Sequence, residues 1–382
     1  MIEHENCISI IRNEKISRPT FVIRHRSLET SLEKFESLNC EILYPVKTNP
    51  DDYILSYLIE RGIDSFDVAS IGEVEKISGL SKKYNKELQM YFMHPVKPRD
   101  AIREAYFDYG IRHFSLDSHK ELEKILEETN NAEDLNLHVR ISIPNSYSEI
   151  NLSEKFGINL QESHSLLERT KKNSKKVGIC FHVGSQCMHP DAYKHAIQLT
   201  SNIANEIGID YFNIGGGFPS IYPGLSPTTM DEFFSVIHAG FNSLKNKSSI
   251  KFLSEPGRAI VAECMSLIVQ VNLKRGNTLY INDGIYGNLF DAGFPKLVFP
   301  TRLLKEEISE DLIPFQLYGP TCDSLDKMEG PFYLPSNVEE GDYIEIGQVG
   351  SYSKSMTSEF NGFRNESRTF LVKDSPIISM YK

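Results

Sequence analysis

From residue 42 to residue 253 the chain alternates between two hydrophobic periods, and few folds sustain that alternation for so long. Apolar or β-branched runs fall at 42–46, 65–68, 88–93, 111–116, 135–143, 177–183, 211–214 and 250–253. Helical-period patterns lie between them, for example at 51–61, 72–80, 118–127, 191–207 and 230–244. Strands joined through helices pair in parallel, because each crossover returns the chain to the same end of the sheet. Eight such units predict an α/β fold, a (β/α)8 TIM barrel; a doubly wound open sheet is the rival and usually needs fewer strands.

After about residue 262 the pattern changes. Segments at 265–273, 278–281, 343–346 and 369–372 alternate or carry β-branched and aromatic residues. Turn signals, Arg275-Gly276-Asn277 and Glu340-Gly341-Asp342, sit between them. This predicts a C-terminal, mostly antiparallel β domain. The 382 residues are enough for two domains. The expected division is a barrel over 21–262 and a β domain over 263–382, with residues 1–20 as a candidate addition to the second.

Barrel chemistry sits where strands end. The ends here carry Lys47, Asp67, His94, Asp117, Arg140, His182, the run Gly215-Gly216-Gly217, and Glu255. A lone strand-end lysine is most often a surface lysine, and Asp67 or Asp117 could each be a helix N-cap. A polar or glycine group at every strand end is harder to explain as solvated turns. Three glycines let backbone N–H groups approach an anion closely, and no Gly-Lys-Ser/Thr follows to make a P-loop. Glu255-Pro256-Gly257-Arg258 adds a bidentate cation after the next strand, which suits a phosphate. A lysine, a phosphate site and a carboxylate for a protonated pyridine nitrogen are together what pyridoxal 5'-phosphate requires.

Several motifs occur in one order: Tyr44-Pro45-Val46-Lys47, Phe66-Asp67-Val68-Ala69-Ser70, Phe156-Gly157, His182-Val183-Gly184-Ser185-Gln186 and Gly215-Gly216-Gly217-Phe218-Pro219. Glu255-Pro256-Gly257-Arg258, Gly319-Pro320-Thr321-Cys322-Asp323 and Phe360-Asn361-Gly362-Phe363 complete the series. From about residue 20 to 365 the chain resembles the fold type III, alanine racemase-like barrel, pyridoxal-phosphate decarboxylases of basic amino acids, typified by ornithine decarboxylase. The resemblance implies that Lys47 links covalently to the cofactor, His182 stacks on its ring and Glu255 pairs with the ring nitrogen. It assigns the phosphate to Ser185, Gly217, Arg258 and Tyr352 with the neighbouring amides of Gly215 and Gly216. Asp67 and Glu73 would position the lysine and the cofactor face, with Arg140 near the ring. Cys322 matches the residue that protonates the α-carbon, contributed in this family by the opposite subunit of a homodimer.

The resemblance also places Asp323 and Asp291 against the distal ammonium of the substrate, with Phe360 as an apolar wall. Two carboxylates would select diamino acids over neutral ones. The implied reaction is decarboxylation of L-ornithine to putrescine, with L-lysine to cadaverine as a further activity, in polyamine biosynthesis. One methylene separates these substrates and is worth only about 1–3 kcal/mol in a pocket. The segment before Asp291 is shorter than the eukaryotic pattern, and Ala292-Gly293-Phe294 replaces a polar follow-up. Carboxynorspermidine, arginine and diaminopimelate are the rival substrates. The acidic pair argues against diaminopimelate, whose distal carboxylate needs a cation. An inactive binding homologue would be expected to lack Lys47 or Cys322, and a racemase leaves Cys322-Asp323 and Phe360 to Phe363 unexplained.

Composition fits this reading. A net charge of −11 argues against a nucleic-acid partner. No stretch of about 18 consecutive apolar residues is present, so no membrane span is expected. The opening residues are acidic and lack an apolar leader core, which predicts a cytoplasmic protein. The six cysteines, 7, 40, 180, 187, 264 and 322, have no CxxC pair or zinc spacing, so no metal site is expected. All but Cys322 read as small buried hydrophobes.

Overall fold

Eight parallel strands close on themselves. In chain order they are Glu41–Pro45, Ser65–Val68, Gln89–Phe92, His113–Leu116, Asn136–Arg140, Lys176–Cys180, Tyr211–Asn213 and Lys251–Ser254. The last lies beside the first, with Leu253 opposite Glu41 and Ser254 opposite Ile42, and this pairing closes the barrel. The structure, a computed structural model, describes residues 1–144, 147–150, 155–363 and 367–381. The barrel strands lack a regular apolar–polar alternation because both faces are covered: all of Ser65–Val68 and Tyr211–Asn213 is buried, polar residues included.

The helices between the strands begin on side-chain caps. Asp51 accepts from Tyr53 N–H, Ser70 from Glu73, Ser118 from Glu121 and Asn159 from Glu162, each cap being worth about 1 kcal/mol. Ser70 and Ser118 take the capping role considered for Asp67 and Asp117, which leaves those two carboxylates for other work. Towards the N-terminal strand ends the barrel interior is polar. His113 Nδ1 lies 3.1 Å from His138 Nε2. Glu41 accepts from Ser65 Oγ at 2.8 Å and pairs with Lys251 Nζ at 2.5 Å. The N-terminal face of such barrels serves stability, so the chemistry belongs at the opposite ends.

Residues 36–219 and 228–257 form the barrel unit; residues 1–35, 220–227 and 258–382 form a second. The second unit is built on a long strand, Met265–Arg275. Its first half pairs antiparallel with Thr20–Ile23 and Tyr343–Ile346, and its second half with Thr278–Ile281. Leu312–Tyr318 and Lys327–Pro335 extend the sheet as an antiparallel pair. Thr369–Val372 and Glu3–His4 add parallel partners at the other edge. The strand at 20–23, grouped with the barrel domain in the sequence reading, is instead hydrogen-bonded into this second sheet, and the unit boundaries fall at Glu36 and Arg258.

Candidate active site

The barrel residues come first. Lys47 stands in a single 3-10 turn, Val46–Thr48, directly after the first barrel strand. Its Nζ is 2.5 Å from Asp67 Oδ2 at the end of the next strand. Asp67 is 2% exposed, whereas the lysine side chain is 48% exposed, so a fixed carboxylate holds an accessible ammonium. The other oxygen of Asp67, Oδ1, is buried with no hydrogen-bond partner among the described residues. Glu73, in the first turn of the following helix, accepts the Ala69 N–H at 2.7 Å, and burial raises its pKa.

Glu255 follows the last barrel strand. Asn213 Nδ2 donates to its Oε1 at 2.7 Å, and Asn213 Oδ1 accepts the Gly215 N–H at 2.8 Å. One asparagine therefore ties the carboxylate to the glycine run. Burial, followed by the nearby Asp67, raises the Glu255 pKa to about 7, against the pull of Lys47, the Asn213 hydrogen bond and Arg140. Such a carboxyl is fully ionised at neutral pH only when a further cation is placed against it.

The glycine run needs glycine. A Cβ on Gly215 would lie 2.1 Å from Phe181 O, and one on Gly217, where φ is +112°, would lie 2.3 Å from Gly184 O. Tyr193 Oη, buried on the helix Asp191–Ile207, donates to Gly216 O at 2.9 Å and braces the turn from behind. His182 Nδ1 accepts the Gly184 N–H at 2.9 Å, which leaves any ring proton on Nε2. Burial, then Arg140 and Lys47, lowers its pKa to about 3, so the imidazole is neutral. Ser185 opens the short strand Ser185–Cys187 next to it. The Arg140 guanidinium lies 5.5 Å from the centre of the Phe156 ring. His94 meets the same ring edge-on at 5.1 Å, and Asp117 Oδ2 accepts the Gly157 N–H at 3.0 Å. His94 and Asp117 thus hold the Phe156-Gly157 turn.

In the second unit Arg258 opens a short helix, Arg258–Val261, and is buried. Its Nη1 donates to Tyr222 Oη at 2.8 Å and to Ser351 Oγ at 3.3 Å, and the guanidinium lies 5.0 Å from the Tyr352 ring centre. Asp291 Oδ2 is 2.9 Å from Arg258 Nη2. Asp291 is buried in an ion pair with Arg258, apart from the Asp323 of its own chain. Burial raises its pKa, and the guanidinium opposes that.

Cys322 and Asp323 lie on a loop whose thiol is exposed. Asp323 Oδ1 accepts the Leu325 N–H at 2.9 Å and Oδ2 accepts the Tyr286 phenol at 2.6 Å. Asn361 Oδ1 accepts the Cys322 N–H at 3.0 Å, and Phe360, 41% exposed, packs 5.0 Å from the Tyr286 ring. Sequence reasoning missed Asn213, Tyr193, Tyr222, Ser351 and Tyr286 as positioning residues. Asn213, two residues before the glycine run, was the one signal in reach.

The barrel residues fit pyridoxal phosphate. A lysine ammonium, an orphaned buried carboxylate oxygen, a carboxyl poised to ionise beside a cation, a neutral ring and a glycine turn that excludes Cβ atoms converge at the C-terminal strand ends. No helix among the described residues is long and apolar enough to cross a membrane, and no cluster of three metal-ligating side chains occurs among them.

The family described as "Pyridoxal-dependent decarboxylase, pyridoxal binding domain" matches residues 20–262. Ornithine decarboxylase of Schizosaccharomyces pombe is 32% identical over 355 residues, covering 87% of this chain and 78% of that protein. The Paramecium bursaria Chlorella virus arginine decarboxylase superposes with a TM-score of 0.83 at 26% identity, over 95% of this chain and 98% of its own. Lysine/ornithine decarboxylase of Vibrio vulnificus, in complex with putrescine, gives a TM-score of 0.80 at 27% identity, over 97% and 99%. A closed barrel with a lysine and a glycine turn at its chemical end, in a chain related to these proteins over most of its length, belongs to the fold type III pyridoxal-phosphate-dependent decarboxylases of the ornithine/lysine family.

Proposed function

We propose that the substrate is L-ornithine and the product putrescine, with L-lysine to cadaverine as a secondary activity. The observation that carries this reading is Asp323. Its carboxylate sits on an exposed loop, and the Leu325 N–H and then the Tyr286 phenol lower its pKa, so it stays anionic and ready for a distal ammonium. Asp291, which lies 2.9 Å from the Arg258 guanidinium, is the second carboxylate of this reading, meeting the Asp323 of the partner copy.

Lys47, Asp67, His182, Ser185, Gly215, Gly216, Gly217 and Glu255 would hold the cofactor, with Arg140 near its ring. Arg258 and Tyr352 supply a buried cation against an aromatic face, chemistry that suits a phosphate. When bound, the cofactor supplies an electron-withdrawing ring that accepts the electron pair left by departing carbon dioxide. Asp67 steadies the Lys47 ammonium before it gives up a proton. Glu255, ionised by a cation set against it, keeps that cation protonated. The neutral His182 presents a flat ring without a competing charge. The Cys322 thiol returns a proton to the α-carbon after the C–C bond breaks. As the family resemblance implies, we assign Cys322 and Asp323, which lie on a loop with Leu325 63% exposed, to the site of a second copy in a homodimer. All six cysteines are free, which suits a reducing cytoplasm.

The test is carbon dioxide release from L-ornithine, L-lysine, L-arginine and meso-diaminopimelate, side by side with added pyridoxal phosphate. A higher kcat/KM for ornithine than for the other three is expected. Turnover of arginine or diaminopimelate alone would overturn the substrate assignment while leaving the cofactor site intact.

A further inference from the structure

The loop that carries Asp323 is fastened by residues with no place in the chemistry. Asp326 accepts the Ile285 N–H at 2.9 Å, the Thr321 N–H at 3.0 Å and the Thr321 hydroxyl at 2.7 Å. The first of these bonds joins the 319–326 turn to the 283–290 turn, and the other two close the 319–326 turn on itself. The second turn is fastened in its own right. Tyr286 O accepts both the Ser358 N–H at 2.9 Å and the Ser358 hydroxyl at 3.1 Å. Its ring packs against Phe360 at 5.0 Å, tilted by 38°. The Tyr286 phenol is thus placed from its backbone and from its ring before it meets Asp323.

We propose that Tyr286 is a positioning residue for substrate selection: its phenol holds one oxygen of Asp323 while the Leu325 N–H holds the other, so the carboxylate offers its remaining lone pairs to the distal ammonium in one orientation. This rests on the reading of Asp323 as the ammonium receptor. An ionised carboxylate has about four acceptor sites on its two oxygens, and two are used here, one per oxygen. An aspartate without those bonds rotates freely about its last torsion, and a bound ammonium would have to order it. The two donors also supply stabilisation to the anion that protonated Asp323 could not use. The phenol remains the donor, because the Asp323 hydrogen bond, burial, and the charges of Asp323 and Asp326 all raise the Tyr286 pKa. The groups acting on Asp323 are the Leu325 N–H and the Tyr286 phenol, with burial opposing them.

Tyr286→Phe removes the hydroxyl and keeps the ring that packs on Phe360. Steady-state kinetics with ornithine should show KM raised roughly tenfold and kcat changed less than about threefold, the effect of one lost charge-assisted hydrogen bond. Calorimetric titration of the cofactor-loaded protein with putrescine should show the same loss of affinity. The acid limb of that affinity should move to higher pH, because Asp323 loses a donor that favours its anion. Asp323→Ala is measured in parallel. Should Asp323→Ala leave KM and putrescine affinity unchanged, the ammonium reading itself fails. If Asp323→Ala weakens both and Tyr286→Phe leaves affinity and the acid limb where they were, the phenol has no positioning role and this inference fails alone.

Discussion

Replacing Glu255 by Gln should stabilise the cofactor-free protein above neutral pH and weaken its response to the cofactor. Burial first, then Asp67, lifts the Glu255 pKa from 4.5 to about 7. A carboxyl whose folded pKa is raised binds its proton more tightly in the native state. Its contribution to stability is therefore full below the unfolded value and is lost as pH rises through the folded one. At 1.36 kcal/mol per pH unit, a rise from 4.5 to about 7 corresponds to about 3 kcal/mol lost by pH 8.5. Gln keeps the Asn213 hydrogen bond at Oε1 and carries no charge. In thermal melts without cofactor, the variant should melt several degrees above the parent at pH 8.5 and close to it at pH 5. With pyridoxal phosphate added, the order should narrow or invert, because only the carboxylate gains from a protonated ring nitrogen. A variant no more stable than the parent at pH 8.5, or one that gains as much from cofactor, would refute the argument that burial holds this carboxyl back until a cation arrives.

Gly217→Ala should lower cofactor affinity at least tenfold in absorbance titrations, since its Cβ would meet Gly184 O at 2.3 Å with φ at +112°. Gly224→Ala, where φ is +83° and nothing lies within 4 Å, is the control for strain alone and should leave affinity unchanged. The barrel should also lose stability in mild acid. Burial first, with nearby basic groups, lowers the pKa of His113 to about 2 and of His138 to about 3. The unfolded chain then binds protons that the native barrel refuses, so stability falls as pH drops below the ordinary histidine value of about 6.5. Melting at pH 7.5 and pH 5 checks this: His138→Gln should reduce the difference, and an unchanged difference would count against the buried pair as its source.

The barrel was legible because its signal repeats and each strand is short, apolar and followed by a polar end. The missed elements have local causes. Leu312–Tyr318 contains Pro314, and Lys327–Pro335 contains Gly330-Pro331, so residues that usually break strands sit within two paired ones. The strand at 20–23 sits next in sequence to the barrel series, but its hydrogen bonds go to Met265–Arg275, a pairing no local period can report. The helices Arg99–Phe107 and Leu160–Lys172 also passed unremarked, the first beginning directly after Pro98.

The site divides in the same way. The placement of Lys47, Asp67, His182, the glycine run and Glu255 at strand ends was readable because each follows its own strand, where sequence position decides direction. Asp291 and Asp323 came from the family resemblance alone, because the side chains they meet lie far along the chain. Asp291 is decided by Arg258, whose buried guanidinium needs a counter-charge; a buried cation stripped of its partner costs about 3–5 kcal/mol. Asp323 accepts the phenol of Tyr286, a residue that carries no motif of its own. Sequence therefore reports the groups aimed by backbone geometry. The groups aimed by other side chains emerge only from the folded contacts.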